Sequence, residues 1–292
     1  MVIQDYVVCY FDLLGQRAGL LNDVRKSYDL TTIQLEVDKV STAIQRFNAL
    51  IKGTKKSIVE DTEKLLEAGG LSGENKDVLS KKIKSLHLGV QQFSDTTLFF
   101  ANIENGDCAG LGVFMTWCLL LAANFIQLLS EHLMVRGGIT IGKGWEIEPA
   151  CLYGPVIEDV YKLESKIAVF PRIVVSEETF CRLEVIEWPE FRLSKFFCRD
   201  YDGVHILDYL SLPAVQWYEA KFSVLRSNLI YALKEALRFI RTEYDLLKVK
   251  VSHDISCAKE ARKLAYLISY WQSRLESIVD YYDSSSIDER KS

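Results

Sequence analysis

Two acidic side chains follow or interrupt apolar strand patterns in this 292-residue chain, and they are its best candidates for chemistry. Asp12 closes the run 6–11, YVVCYF, and Asp95 lies between the two apolar segments of 91–100, QQFSDTTLFF. An ionised carboxylate with apolar neighbours costs free energy unless something pairs with it. Two carboxylates at strand ends can share a divalent cation, and oxygen donors suit Mg²⁺ or Mn²⁺ with a phosphate. The alternative, that both are ordinary turn acids, stays open at this point.

A glycine pair inside a predicted strand is the second feature of chemical interest. The segment 134–143, MVRGGITIGK, has the apolar pattern of a strand. Glycine inside a strand often marks close approach by a ligand or by another backbone. Arg136, beside Gly137 and Gly138, is therefore a candidate for binding an anion. A β-bulge beside a solvent-facing arginine explains the same pattern, and the strand–loop–helix context of a phosphate-binding glycine loop is missing.

The composition describes a globular protein and excludes several classes. The length allows one large domain or two modest ones, and 49% hydrophobic with 26% charged residues is typical of a folded chain. A net charge of −5 offers no electrostatic basis for binding nucleic acid. Seven cysteines without a CxxC pair indicate a reducing compartment, so we expect a cytoplasmic protein without disulfides or zinc. The N-terminus lacks the basic flank of a signal peptide.

One uncharged segment has the length of a membrane span. It runs from Leu111 to Leu129. Thr116, Asn124 and Gln127 interrupt it, and no cluster of Lys or Arg flanks it. We therefore predict a buried helix over about 108–133 and no membrane span in this chain.

The remaining patterns predict the elements that must position the two acids. In chain order they are a strand over 5–11, a helix over about 24–50, a hairpin of 86–93 and 97–102, the helix over 108–133, the strand over 134–143, a helix over about 155–168, a strand over 170–175, an edge hairpin near 204–209, and two amphipathic helices over about 214–245 and 256–282. The order of strand, helix, hairpin, helix and strand matches the split βαβ of ferredoxin-like folds. The predicted fold class is therefore α+β.

The chain is predicted to divide into two parts. Residues 1–212 form the domain that carries the candidate site, and residues 213–292 form a C-terminal helical extension. Residues 53–85 are rich in Lys, Glu and Gly, which indicates a charged, solvated helical insertion without chemistry of its own.

Four motifs in this order resemble the class III nucleotidyl cyclases, and more closely the bacterial pyrimidine cyclases of Pycsar antiphage defence. They are YFDLLG at 10–15, FSD at 93–95, RGGITIG at 136–142, and YGP at 153–155 continuing through YKLE at 161–164 to FPRIVV at 170–175. The resemblance implies a cyclase-like sheet covered by helices. It also implies an enzyme that converts UTP or CTP into the 3′,5′-cyclic monophosphate, cUMP or cCMP, and diphosphate, as a second messenger in antiphage defence.

The same resemblance implies roles for individual residues. Asp12 and Asp95 would hold two divalent cations, Mn²⁺ or Mg²⁺, with help from the backbone carbonyl of Leu13. The residues that would contact the nucleotide are Phe11, Leu14 and Gly15.

Such cyclases look like head-to-tail homodimers with a site at each subunit boundary. In many of them a helix of the partner supplies an Asn and an Arg four residues apart, and here those positions carry Glu158 and Lys162. Lysine keeps the charge but lacks the planar fork, and Glu158 cannot act as an Asn does towards a ribose oxygen. Lys162 and Arg136 are our candidates for stabilising charge on the triphosphate. The alternative for Lys162 is a surface ion pair across one helical turn; Arg172 is interpreted as structural.

Three other functions stay open. A cyclase-like domain that has lost catalysis would only sense nucleotide, and the Glu158 departure favours this reading. A purine cyclase, making cyclic AMP or cyclic GMP, is the second. The third is a general nucleotidyltransferase of ferredoxin-like fold, such as a polymerase palm or a diguanylate cyclase. The hairpin lacks a GGDEF-like sequence, which speaks against a diguanylate cyclase. Asp12 and Asp95 favour an enzyme.

Overall fold

A computed structural model describes residues 2–14, 88–93, 96–103, 134–148, 151–185, 193–216, 226–251 and 258–288, together with single helical positions within 31–81 and 110–129. These parts of the chain form a large mixed sheet with helices, in agreement with the predicted α+β class. The insertion predicted at 53–85 lies almost entirely outside the described residues. The division of the chain near residue 212 stays a prediction.

The strands are β1 (Gln4–Leu14), β2 (Leu88–Phe93), β3 (Thr96–Asn102), β4 (Met134–Glu148), β5 (Cys151–Tyr153), β6 (Ile173–Val175), β7 (Phe197–Arg199) and β8 (His205–Leu207). The α-helices with complete bounds are α1 (Pro155–Lys162), α2 (Glu177–Glu184), α3 (Arg226–Val251) and α4 (Ala258–Asp288). A π-helical turn, Leu163–Ile167, continues α1, and a 3₁₀ turn, Leu193–Phe196, precedes β7. Pro155 occupies the first turn of α1, as the sequence predicts.

β1 lies inside the sheet, whose strand order is β2-β3-β1-β4-β6-β8-β7 with β5 paired to β4. The contacts β2–β3, β3–β1 and β1–β4 are antiparallel, and β4–β6 is parallel. β1 is longer than the predicted strand over 5–11. Its ladder with β3 ends where Asp12 pairs with Thr96, but the longer β4 supplies partners as far as Leu14. The predicted end of the strand at residue 11 was therefore wrong, because Asp12 is still part of it.

Side chains alternate between the two faces of β1, as they must in a strand. Those on one face belong to the large core, and they are Val7, Cys9, Phe11 and Leu13. Those on the other face are Tyr6, Val8, Tyr10 and Asp12, and the first three pack with Val156 and Val160 of α1. Asp12 thus shares the face that α1 covers.

The predicted apolar helix over 108–133 is helical and buried wherever it is described. The positions concerned are Gly110 and seven residues of the large core, namely Leu111, Phe114, Met115, Cys118, Ile126, Leu128 and Leu129. Among the described residues, no helix combines the length and apolarity needed to cross a membrane.

The long C-terminal helices share the large core with the sheet. Trp271 of α4 is fully buried, and the same core contains Leu210, which follows β8. Asp208 fastens α4 to this segment, since it accepts a hydrogen bond from the Tyr270 hydroxyl at 2.8 Å and pairs with Arg274 at 2.6 Å. The helices are therefore packed onto the sheet by both apolar and charged contacts.

Arg172 has the structural role predicted for it. It is only 3% exposed, and its guanidinium pairs with Asp200 and Asp202. The Tyr266 hydroxyl of α4 donates to Asp200 at 2.8 Å. The carbonyl of Arg172 accepts from the amide of Gly137 at 2.9 Å, so the cluster also fixes β4 beside Arg136.

Candidate functional site

Asp12 is the centre of a polar row that crosses three strands. Its register partners are Thr96 on β3 and Arg136 on β4. The Thr96 hydroxyl donates to Asp12 Oδ1 at 3.1 Å, and Arg136 Nη2 lies 3.4 Å from Asp12 Oδ2. The side chains of Asp12 and Arg136 are 19% and 21% exposed. Protein therefore shields most of both side chains, and each keeps about a fifth of its surface exposed.

Glu164 completes this row, and sequence reasoning did not single it out. It lies in the π-helical turn after α1, is 2% exposed, and pairs with Arg136 Nε. The contact joins Arg136 Nε directly to Glu164 Oε1, and both atoms are buried. A signal was present in the sequence. Glu164 follows Val156 and Val160 at spacings of four, which puts an acid on the buried face of an amphipathic helix.

Burial raises the pKa of the Glu164 carboxyl to about 7. Arg136 opposes this rise by its positive charge, whereas the nearby Asp12 carboxyl adds to it by charge and by hydrogen bonding. The pKa of Tyr10 is raised mainly by burial, and the negative charge of Glu164 raises it further. Protein burial and a second carboxyl thus outweigh one arginine at this position.

Stability should depend on the ionisation of Glu164. Its folded-state pKa lies above the unfolded value, so its contribution to the free energy of unfolding is present below about pH 4.5 and is lost as the pH rises through about 7. Relative to Glu164→Gln, the wild type should lose up to about 3 kcal/mol between pH 4 and pH 8. Urea unfolding of both proteins in a chelating buffer measures this difference. Parallel stability curves would show that Glu164 does not titrate in that window.

The glycine pair in β4 allows close approach of another backbone, which is one of the two readings drawn from the sequence. A Cβ on Gly138 would lie 2.8 Å from Leu163 Cβ, 3.0 Å from the Val160 carbonyl oxygen and 3.2 Å from the Glu164 amide. The register between β1 and β4 runs without interruption through this point. The alternative of a β-bulge with a solvent-facing Arg136 is wrong. β4 contains no extra residue at this point, and the glycine makes room for the close approach of α1 and the turn that follows it.

Gly138→Ala should therefore destabilise the protein by about 1 to 3 kcal/mol, the usual cost of forcing a methyl group into packed surroundings. The neighbouring atoms include backbone, which cannot rotate away. Gly142→Ala on the same strand is the control and should cost less, because its Cβ would lie 3.2 Å from Val156 Cβ and Cγ2 and 3.4 Å from Val156 Cα. Thermal unfolding of the two variants compares them, and an equal loss would contradict the close approach at Gly138.

Lys162 and Glu158 lie on the exposed face of α1. The Lys162 ammonium is 2.8 Å from Glu158 Oε1 and 3.8 Å from Asp159 Oδ1. The pairing with Glu158 raises the pKa of Lys162 and lowers that of Glu158. The surface ion pair across one turn is thus present within the chain. A role of Lys162 at a partner's site stays a prediction.

The other predicted site residues are placed only in part. Phe11 is buried in the large core, in an edge-to-face contact with Phe99, so a nucleotide could meet only its backbone. The side chain of Leu13 is buried too, which leaves the predicted metal contact to its carbonyl. Leu14 ends β1. Asp95 and Gly15 lie outside the described residues.

The types of donor atom around Asp12 suit a hard divalent cation. Carboxylate, hydroxyl and carbonyl oxygens are the ligands that Mg²⁺ and Mn²⁺ prefer, and Asp12, Thr96 and Leu13 provide them. Within the described ranges, no group of three or more His, Cys, Asp or Glu is arranged to hold a metal ion. Asp95, the second carboxylate predicted from the sequence, is the residue before Thr96 in the chain, and its role at a metal site stays a prediction.

What this row of side chains does has to be inferred from the chain's own residues. No protein-family model matches the chain, and no curated protein matches it.

Proposed function

We propose that the protein is a metal-dependent pyrimidine nucleotide cyclase. It converts UTP or CTP into the 3′,5′-cyclic monophosphate and diphosphate, in the cytoplasm, as a second-messenger signal in antiphage defence. The observation that carries the proposal is the row formed by Asp12, Thr96 and Arg136 on the inner strands of the sheet. A carboxylate for cations and a guanidinium for phosphate oxygens stand side by side there.

The strand arrangement supports a cyclase-like version of the α+β class. In the order β2-β3-β1-β4 every neighbouring pair is antiparallel, with a hairpin formed by β2 and β3. This is the order of a split βαβ, ferredoxin-like sheet. The resemblance of the motifs requires the same sheet, with the first acid on β1 and the second beside the hairpin turn.

The proposed reaction is an attack of the ribose 3′-hydroxyl on the α-phosphorus, with diphosphate leaving. Asp12 and Asp95 would hold two divalent cations, Mn²⁺ or Mg²⁺, with the Leu13 carbonyl as a further donor. When bound, these cations would lower the pKa of the attacking hydroxyl and offset phosphate charge. Arg136 offers a planar set of N–H donors that suits phosphate oxygens. Backbone groups of Phe11, Leu14 and Gly15 would line the triphosphate.

The proposed homodimer follows from the resemblance, and two exposed rings support it. The described apolar positions within 110–129 are covered inside the chain, and α3 and α4 share the large core with the sheet, so these helices are not the basis of the proposal. Phe93 and Tyr161 are each 53% exposed. Phe93 pairs in register with Thr96, and Tyr161 adjoins Lys162 and meets the edge of Tyr10. We propose that a partner subunit covers these rings and that its own α1 reaches the Asp12 row, as the resemblance implies.

Purified protein incubated separately with ATP, GTP, CTP and UTP in the presence of Mn²⁺ tests the proposal. Mass spectrometry should detect a cyclic monophosphate from UTP or CTP. Cyclic AMP or cyclic GMP would instead identify a purine cyclase. Tight nucleotide binding without any product would identify a sensing domain. This is the second candidate function, and the pairing of Arg136 with Asp12 and the presence of Glu158 favour it.

A further inference from the structure

Glu164 has no part in the reaction proposed above, yet its position is costly. A carboxylate that is 2% exposed loses its hydration, and a charged partner offsets part of that cost. The partner is Arg136, on a different element of the fold. The packing of α1 alone does not account for a buried Glu164 that pairs with Arg136 of the candidate site.

The two acids hold Arg136 from different directions. Asp12 contacts the end of the guanidinium at Nη2, whereas Glu164 contacts Nε at its base. A single contact would leave an arginine free to rotate about its long side chain. Two contacts at separate nitrogens define the plane of the guanidinium, and a planar fork recognises phosphate oxygens only when it is oriented towards them.

The backbone is adapted to bring Glu164 over Arg136. Gly138 lies two residues beyond Arg136, on the same face of β4, and its missing side chain lets the Glu164 amide and the Val160 carbonyl come close. The π-helical turn Leu163–Ile167 then directs Glu164 inward at the end of α1. π-Helical turns within helices are frequent at functional sites.

We infer that Glu164 is a positioning residue, which holds the Arg136 guanidinium in the orientation that meets the substrate's triphosphate. The inference rests on the proposed function. Glu164 acts through Arg136 and does not itself contact substrate. Because it lies in the π-helical turn that continues α1, it also ties the placement of Arg136 to the placement of α1.

The test compares Glu164→Gln with Asp208→Asn. Asp208 is also a buried acid, 4% exposed and paired with an arginine, but it lies beside α4. Glu164→Gln should lower kcat about 10- to 100-fold, the usual effect of losing a group that orients a functional side chain, with KM changed far less. Asp208→Asn should keep kcat. Glu164→Asp, which retains the charge on a shorter stem, should recover part of the rate.

A double-mutant cycle shows whether the effect passes through Arg136. Arg136→Lys combined with Glu164→Gln should be no slower than Arg136→Lys alone, because a lysine has no planar fork to orient. Effects that multiply would overturn the inference, as would equal losses in Glu164→Gln and Asp208→Asn.

A second readout does not need activity. The ¹H–¹⁵N signal of Arg136 Nε, assigned through its loss in Arg136→Lys, should be protected from exchange with water in the wild type, because this nitrogen is buried. Glu164→Gln should shift the signal and speed its exchange, while Asp208→Asn leaves it in place. An unchanged signal in Glu164→Gln overturns the positioning role. If the wild type makes no cyclic product but the signal still depends on Glu164, the proposed function fails and the contact itself stands.

Discussion

Asp12→Asn should reduce the formation of cyclic nucleotide by at least about 10³-fold, since both cation binding and the charge at the phosphates depend on this carboxylate. The same loss is expected for Asp12→Ala, Asp95→Asn and Asp95→Ala. Asn keeps the shape of the side chain and can still accept from the Thr96 hydroxyl, so the fold should persist. Product formation with saturating Mn²⁺ and circular dichroism of each variant measure the two effects.

Asp5→Asn is the matched control for this prediction. Asp5 also lies on β1 and also pairs with a cation on β4, since its Oδ1 is 2.9 Å from the Lys143 ammonium. Its side chain is 23% exposed, close to the 19% of Asp12. We expect Asp5→Asn to keep full activity. Near-normal turnover of Asp12→Asn would remove Asp12 from the metal centre.

Lys162→Ala should lower turnover by about 10² to 10³, the common cost of removing a group that stabilises charge in the transition state. The loss of the exposed ion pair with Glu158 should hardly change stability, because such pairs contribute little. Arg182→Ala removes an equivalent exposed pair, Arg182 with Glu178 at 2.8 Å on α2, and should leave turnover unchanged.

Mixing Asp12→Ala with Lys162→Ala should restore activity if Lys162 acts on the partner's site. A mixed dimer then contains one site with both residues intact. Subunit exchange is confirmed by differently tagged chains that co-purify. A mixture that exchanges subunits and stays as inactive as its parents would show that Lys162 does not act across the dimer.

Local sequence patterns predicted the elements that carry the site, because the properties that favour a strand or start a helix depend on a few neighbouring residues. A run that is apolar on both faces identified β1, and residue types that favour strands identified the hairpin of β2 and β3. Pro155 marked the start of α1 because its fixed φ suits a first turn. Asp12 was recognisable as an acid that its apolar neighbours do not neutralise. Each of these inferences needs only the sequence around the residue.

Contacts between distant segments were not predictable in the same way. The extension of β1 to Leu14 depends on the length of β4, and the pairing of Glu164 with Arg136 depends on how closely α1 approaches Gly138. The attachment of α4 to Asp208 likewise joins segments far apart in the chain. The sequence contains the residues for these contacts, but periodicity does not say which of them meet.

The balance of products from a labelled pyrimidine nucleotide tests the central claim most directly. UTP or CTP carrying label at the α-phosphate, and in a parallel sample at the γ-phosphate, is incubated with the wild type and Mn²⁺. The account predicts cyclic monophosphate and diphosphate in equal amounts, and neither product with Asp12→Asn. Linear monophosphate with diphosphate, free orthophosphate, or unchanged substrate with both pyrimidine nucleotides would contradict it.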